Sequence, residues 1–473
     1  SASDTLEKKV NKYVALLKKL QNKDGSFSWW KGMSGSRYMT TAVAEMMVRL
    51  NAIVGRQSST ASMLSGAIDY LRQQTAREVK AMKEDEAKAA QKAARNGKKG
   101  EAYQATPSEV ALHYLYIVAM DGTCVKLKAP ALNDMDYLLG KLKKMTGSLT
   151  IYGKAKAAVI LALNYDYKTA ADYLKSMEEY SVYREDMGRY YDTRKAYYSW
   201  RNYKIPTEVA AIEALQALDA QSIAAISSAS FAISKQQTIE EMQRWLLMSK
   251  RTQVWDTPVN TVDAVYAFMK GNESNWSRKA ENAVLKLDGK LLPMPQDSTT
   301  LGYVKTERPG KASKLSIDKK SDYTSWGAVY AEFKQPISEI GSMESGIKVR
   351  RVIVPAESES KGNAQVGEKV KVTLIITADR DYDFVQITDK RAACLEPVNQ
   401  LSGYQWSIGC YVSPRDHATN FYFDRLSKGK HIVEMEYYVD RKGDYQSGTC
   451  TAECTYSPEF GGRTETYELK VNN

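Results

Sequence analysis

The chain has 473 residues, of which 43% are hydrophobic and 26% charged, with a formal net charge of +11. That length allows two to four domains, and the apolar content is enough for several cores, which excludes wholesale disorder. The basic excess is too thinly spread to mark a nucleic-acid binder. No apolar run reaches the ~18 residues of a membrane helix, and three histidines argue against a His-rich metal enzyme.

In chain order, the first ~285 residues read as helices and the remainder as strands, which implies separate all-α and all-β domains. Five helical segments share a Thr, Ser or Gly near the start followed by an Ala-rich apolar stripe: YMTTAVAEMMVRL, TPSEVALHYLYIVA, IYGKAKAAVILALN, IPTEVAAIEALQAL and TPVNTVDAVYAFM. Their i, i+3, i+4, i+7 faces are Val43, Met46, Met47 and Leu50; Val110, His113, Tyr114 and Ile117; Ala155, Ala158, Val159 and Ala162; Ala211, Ala214, Leu215 and Leu218; and Val262, Val265, Tyr266 and Met269. Gly153, Thr207 and Thr261 follow one another at 54 residues; Ser108 precedes Gly153 by 45, and Thr41 precedes Ser108 by 67. The longest interval holds a charged, Ala-rich stretch at 77–101, which reads as an exposed helical extension ending near Gly97 and Gly100.

Further amphipathic helices alternate with the five, among them KVNKYVALLKKLQ, MDYLLGKLKKM and IEEMQRWLLMSK. Two helices per ~50-residue repeat, with small side chains on the inner member, predict an α/α toroid, an open solenoid being the alternative. Loops carry aromatics that read as a cap on one end of the ring, a ligand platform being the alternative: Phe27, Trp29 and Trp30, then Tyr190, Tyr191, Tyr197, Tyr198 and Trp200.

From about 286 short strand candidates appear: LKLDGKLLPM, LGYVKTE, SKLSID and WGAVYAEFKQP, followed by a linker at SEIGSMESG. From 347 a clean period-2 alternation sets in, with Val370, Val372, Leu374 and Ile376 on one face and Val433, Met435, Tyr437 and Val439 on another. Adding IKVRRVIV, DFVQITDK, YQWSI, NFYFDRL, GTCTAECTYS and TETYELKV gives eight strands and a β-sandwich.

Cys124 stands alone, whereas Cys394, Cys410, Cys450 and Cys454 cluster in the strand-rich end. None forms a CxxC pair. The four fit one or two disulfides of an oxidising compartment, with buried thiols acting as small hydrophobes as the alternative. Cys450 and Cys454 lie four residues apart in a predicted strand, ~13 Å between Cα atoms, and so cannot bridge to each other, a disulfide needing less than ~7 Å.

The sequence holds no dinucleotide fingerprint, P-loop, nucleophile elbow or zincin motif. His113 falls on the apolar face of an inner helix as a core histidine, a pocket residue being the alternative; His417 lies in a turn and His431 starts a strand, with no metal-ligand spacing among them. Glu45, Glu109, Glu208, Glu213 and Asp263 sit on helices that would line the ring, where a carboxylate pair could drive glycan chemistry. No catalytic, cofactor or metal residues are assigned.

The stretch LLKKLQNKDGSFSWWKGMSGSRYMTTAVAEMMVRL resembles the early part of the thioester domain of bacterial alpha-2-macroglobulins, and QRWLLMSKRTQVWDTPVNTVDAVYAFM resembles its late repeat. FYFDRLSKGKHIVEMEYYV and TYSPEFGGRTETYELKV are similar to the family's terminal macroglobulin-like domain. The resemblance implies three domains: an α/α-toroid (thioester-type) domain at 1–285, the second half of a CUB-like β domain at 286–342, and a macroglobulin-like β-sandwich at 343–473. The family's reactive motif is Cys-x-Glu-Gln. Three residues after the five cysteines stand Leu127, Pro397, Ser413, Glu453 and Ser457, so no thioester is expected in this chain.

What the resemblance implies is a C-terminal fragment of a protease-trapping or surface-defence protein, structural and binding in role and not an enzyme. Its partners would be the N-terminal macroglobulin domains of its own chain and trapped proteases. Its place would be the periplasm or cell surface, with a lipid anchor at a missing N-terminus. The competing readings are a glycan-active α/α-toroid enzyme and a glycan- or peptide-binding module with an accessory β-sandwich.

Overall fold

The computed structural model describes residues 2–97, 102–147, 149–192, 204–219, 235–252, 258–270, 283–292, 310–320, 329, 334–336, 339–355, 363–455, 457 and 459–472. They form two compact units, Ser1–Leu246 with Asp256–Trp326, and Leu247–Trp255 with Gly327–Asn473.

Ten α-helices are found among the described residues: α1 (Ala2–Leu20), α2 (Arg37–Val54), α3 (Ser58–Arg95), α4 (Glu109–Asp121), α5 (Ala131–Leu142), α6 (Ile151–Leu163), α7 (Tyr167–Met177), α8 (Lys204–Ala217), α9 (Lys235–Thr252) and α10 (Pro258–Met269). Of the repeat markers, Ser108 is an N-cap whose hydroxyl accepts from the Ala111 N–H; in the neighbouring inner helices that role falls to Ser36 and Thr150, which accept from the N–H of Met39 and Gly153, while Thr41 and Gly153 lie inside their helices.

The five Ala-rich segments are α2, α4, α6, α8 and α10. Each packs on the next, and α10 packs back on α2, so the inner helices close a ring. α3 lies across α2 and α4, α5 packs on α3, and α7 on α6. The tightest seam is between α6 and α8, where Ala155, Ala158 and Ala162 meet a helix carrying Ala210, Ala211 and Ala214, all buried. Small side chains let backbones approach, and burial of the larger Val159, Ile160 and Ile212 beside them stabilises the seam by about 1.5–3 kcal/mol each.

Two of the five predicted faces need correction. In α2, Met46 and Leu50 are exposed, and in α10, Val262 and Val265 are exposed; the buried side of α2 instead carries Thr41, Ala44, Glu45, Val48 and Arg49. The predicted extension is a continuation of α3, capped at Asn96. It is not wholly exposed. Val79 and Met82 are buried, and Glu86 accepts from the Ala105 N–H and the Tyr137 hydroxyl, tying this part of α3 to α5.

The same unit contains a hairpin of β1 (Ser181–Arg184) and β2 (Gly188–Tyr191), and a small antiparallel sheet in the order β4–β3–β5, made of β3 (Val284–Leu287), β4 (Lys290–Leu291) and β5 (Leu315–Asp318). The strand expected at 301–307 and most of that at 326–336 lie outside the described residues.

The second unit holds β6 (Met343–Ser345), β7 (Ile347–Pro355), β8 (Asn363–Gln365), β9 (Lys369–Ala378), β10 (Tyr382–Lys390), β11 (Leu395–Pro397) and β12 (Gly403–Gln405). It continues with β13 (Cys410–Pro414), β14 (Ala418–Leu426), β15 (Gly429–Val439), β16 (Gly443–Gln446), β17 (Cys450–Cys454), β18 (Gly461–Arg463) and β19 (Glu468–Asn472). Eleven strands hydrogen-bond in the order β11–β15–β9–β7–β6–β18–β17–β10–β14–β13–β12, with a side sheet β16–β19–β8. Both ends of that row fold over one core. Val370, Val372, Leu374 and Ile376 of β9 and Val433, Tyr437 and Val439 of β15 meet Val385, Ile387, Phe421, Phe423 and Ala452. The alternation therefore places these residues inward as expected. YQWSI is corrected: β12 ends at Gln405, and Trp406, Ser407 and Ile408 form the turn into β13.

Cys394, Cys410, Cys450 and Cys454 stand as buried thiols in the sandwich core. Burial pushes the thiols of Cys394 and Cys410 up to about 11. Cys450 and Cys454 are the two ends of β17, opposite Asp389 and Val385 of β10, which bears out the strand geometry that keeps them apart.

Candidate functional site: a buried ionic cluster shared by the inner helices

Every inner helix contributes a polar side chain to one cluster. α2 supplies Glu45 and Arg49, one turn apart on the same face. α4 supplies His113 and Tyr116, α6 supplies Tyr152 and Lys156, α8 supplies Glu213, and α10 supplies Asp263 and Tyr266.

Arg49 is the hub. Its Nε donates to the Tyr116 hydroxyl at 3.1 Å, its Nη2 donates to Glu213 Oε1 at 3.1 Å and lies 3.2 Å from Glu45 Oε1, and its Nη1 pairs with Asp263 Oδ1. The guanidinium also sits over the rings of Tyr116 and Tyr266, at 5.3 and 5.1 Å from their centroids, a favourable site for a desolvated cation. The Tyr116 hydroxyl donates to Glu213 Oε2 at 2.6 Å.

A second group joins the first through Glu45. Lys156 Nζ donates to Glu45 Oε1 at 2.7 Å and stands 3.7 Å from the centroid of Tyr116. His113 Nδ1 pairs with Glu45 Oε2, and His113 Nε2 lies 3.0 Å from the Tyr152 hydroxyl and 3.9 Å from Glu109 Oε1.

Three carboxylates thus meet a guanidinium, a lysine and an imidazole in the interior of the ring. Burial alone would raise Glu45, but His113, Lys156 and Arg49 outweigh it and hold the carboxyl well below its ordinary range. Burial would lower Arg49, yet Asp263, Tyr116, Glu45 and Glu213 hold it above its usual value. Tyr116 and Tyr152 are pushed well up by burial, so their hydroxyls remain protonated donors.

The arrangement suits clamping better than turnover. Arg49, Lys156, Glu45, Glu213 and Asp263 are buried and spend their polar atoms on one another; Glu109 is exposed and His113 half-buried. Hollows of about 710 and 390 Å³ elsewhere on this unit are lined by none of the cluster residues. Among the described residues no His, Cys, Asp and Glu grouping could hold a metal ion.

Of the five acids singled out in the sequence, the structure unites Glu45, Glu213 and Asp263, and places Glu109 at the rim beside His113. Glu208 goes elsewhere. It is buried near Tyr191 and Arg189 of β2, its Oε1 has no hydrogen-bond partner among the described residues, and burial pushes its carboxyl well above the ordinary range despite the Tyr191 N–H and Arg189. His113, expected as a core histidine on an inner helix face, is a half-buried, hydrogen-bonded member of the cluster. The His417 carbonyl accepts from the Arg391 N–H, and His431 Nε2 donates to the Ser427 carbonyl, both in the other unit.

The aromatic loops divide. Phe27 is buried, whereas Trp29 and Trp30 are exposed, Trp29 stacking on Tyr38 with centroids 5.7 Å apart. Tyr190 stacks on Trp245 at 5.4 Å, and Tyr191 is buried; Tyr197, Tyr198 and Trp200 lie outside the described residues.

The model of the bacterial alpha-2-macroglobulin MG10 domain matches residues 346–459. No curated protein matches the chain. Among solved structures it is similar to trypsin-activated alpha-2-macroglobulin from Escherichia coli, at 12% identity over 97% of this chain and 29% of that one, with a TM-score of 0.37. It is similar to native Escherichia coli alpha-2-macroglobulin spanning domain MG7 to the C-terminus, at 13% identity over 97% and 67%, TM-score 0.31. It is also similar to Salmonella alpha-2-macroglobulin reacted with methylamine, at 13% identity over 96% and 27%, TM-score 0.31. The chain therefore spans 29% of the first of these structures and 27% of the third. Residues 346–459 are thus similar to the bacterial alpha-2-macroglobulin MG10 domain, within the part of the chain whose sequence resembles that family's terminal macroglobulin-like domain.

Proposed function

We propose that the chain is the C-terminal region of a bacterial alpha-2-macroglobulin-like protein that traps proteases or defends the cell surface, with a structural and binding role and no catalysis of its own. The observation that carries the reading is the MG10 match over residues 346–459. It is supported by the helical ring, whose buried charges are spent on holding five helices together. The division would be a thioester-type toroid at 1–285 without the reactive Cys-x-Glu-Gln motif, a CUB-like segment at 286–342 and the terminal sandwich at 343–473.

In this reading the chain works with macroglobulin domains elsewhere in the same polypeptide and closes with them around a cleaving protease, in the periplasm or at the cell surface. Among the described residues no helix is long and apolar enough to cross a membrane. The relatives supply the probes, since the Escherichia coli proteins are described as activated by trypsin and by porcine elastase.

The test is to incubate the full polypeptide that carries this chain with trypsin or elastase, then assay cleavage of casein and of a small chromogenic peptide. A trap suppresses casein cleavage and spares the peptide, because only the large substrate is excluded. Equal loss of both activities, or loss of neither, contradicts the reading.

A further inference from the structure

The two outer faces of the sandwich differ in chemistry. On the side of β7, β9 and β15, Lys348, Arg350, Lys371, Glu434 and Glu436 turn away from the core, and Lys371 pairs with Glu434 at 2.8 Å, as on an ordinary solvated surface. On the other side β12, β13, β14 and β10 lie next to one another. Their register puts Tyr404 opposite Tyr411, Tyr411 opposite Tyr422, and Tyr422 opposite Gln386. Side chains at paired positions share a face. This face is turned from the core, because the alternating Cys410, Val412, Phe421 and Phe423 are buried. The three tyrosines are 40–43% exposed. Trp406, 87% exposed, ends the row with its ring centroid 4.6 Å from that of Tyr404 and its plane tilted by 65°. From Tyr404 to Gln386 the row crosses three strand spacings, about 14 Å.

A second row runs beside the first. Asn420, Thr388 and Thr451 are opposite one another on β14, β10 and β17, and all three are half-buried. They stand two residues along their strands from the first row, about 7 Å away. Glu453, opposite Gln386, closes the first row. It carries the one charge in the two rows, and none of their side chains is aliphatic. Arg463, opposite Thr451 beyond the end of the second row, donates to the Gly341 carbonyl. The face is therefore a strip of aromatic rings flanked by neutral hydrogen-bonding groups.

We propose that this face binds a neutral β-1,4-linked hexopyranose chain, laid across the strands along the tyrosine row. In such a chain each sugar ring presents a flat face of C–H groups and keeps its hydroxyls at the edges. The C–H groups, with their partial positive charge, meet the electron-rich faces of the Tyr and Trp rings. The edge hydroxyls reach Gln386, Asn420, Thr388 and Thr451, whose amides and hydroxyls both donate and accept. The other partners that use exposed aromatics need groups this face lacks. A nucleic-acid strand stacks its bases but requires lysines or arginines along its phosphates, and neither row supplies one. A protein interface has a more apolar centre, and neither row supplies an aliphatic side chain. The inference rests on the sandwich alone and is independent of the protease-trapping reading.

The probe is chitohexaose, a β-1,4-linked chain, titrated calorimetrically into the whole chain, with the curled, α-1,4-linked maltohexaose as control. Two variants are compared, Tyr411→Ala/Tyr422→Ala and Tyr411→Phe/Tyr422→Phe, with circular dichroism verifying that both are folded. The expected result is saturable binding of chitohexaose, weakened at least about tenfold by the alanine pair and less than about threefold by the phenylalanine pair, which keeps the ring faces. Absence of saturable binding, equal binding by the alanine variant, or equal binding of maltohexaose would overturn the proposal. So would light scattering that shows a dimer of the chain abolished by the alanine pair, since the face would then be a contact between two copies.

Discussion

Arg49 and Asp263, 214 residues apart in sequence, meet as a buried ion pair that joins the first inner helix of the ring to the last. A charge in such a place is costly unless it is paired and hydrogen-bonded. Here it is both, since Glu45, Glu213 and Tyr116 engage the rest of the guanidinium. The cluster therefore links closure of the ring to the satisfaction of its own charges, and this gives it measurable signatures.

Acid should loosen the ring through Glu45. Its folded carboxyl is held well below the ordinary 4.5, so the stability it contributes is present above about that pH and is lost as pH falls towards the folded value. Urea denaturation between pH 3 and 6 should show stability rising with pH. The Glu45→Gln variant should be less stable at pH 6 and should show a shallower slope.

Glu208 has the opposite sign. Its folded carboxyl is raised well above 4.5, so its contribution is complete below that pH and declines as pH rises through the folded value. Glu208→Gln should flatten the decline, and the gap in stability between variant and parent should shift in the variant's favour between pH 5 and 8. An unchanged slope would mean that Glu208 is solvated.

The loop after α1 depends on one glycine. Gly25 has φ +86°, and a Cβ placed on it would stand 2.1 Å from the carbonyl oxygen of Gly66. Gly25→Ala must therefore push this loop away from α3, on top of the cost of a left-handed alanine. Thermal melts should show a loss of about 1–3 kcal/mol, whereas Gly32→Ala, also at positive φ but with open space around it, should cost less.

Much of the architecture was legible in the sequence. The inner helices announced themselves through Ala-rich stripes recurring at 45 to 67 residues, the last two intervals being 54, and β9 and β15 through strict alternation. The axial cluster was not legible as a unit. Helical periodicity treats Arg49 and Lys156 as solvent-facing, and in α2 and α10 the richer aliphatic stripe drew the core to the wrong side. The short strands β6, β8, β11 and β18 have three residues each, too few for an alternation to be seen.

The cysteines offer a chemical check. No cysteine has Gln three residues on, so labelled methylamine should leave the chain unlabelled. Peptide mapping without reductant should find no Cys450–Cys454 link, because these residues stand ~13 Å apart along β17. A linked peptide would contradict the strand.

The most direct measurement of ring closure is a double-mutant cycle between Arg49→Met and Asp263→Asn, read by urea denaturation. Losing Arg49 alone leaves buried carboxylates uncompensated and should cost about 3–5 kcal/mol. If α2 and α10 meet through this pair, the double variant should lose less than the sum of the single losses by at least about 1 kcal/mol. Losses that add to within about 0.5 kcal/mol would show that the two residues do not meet and that the helices form an open arc.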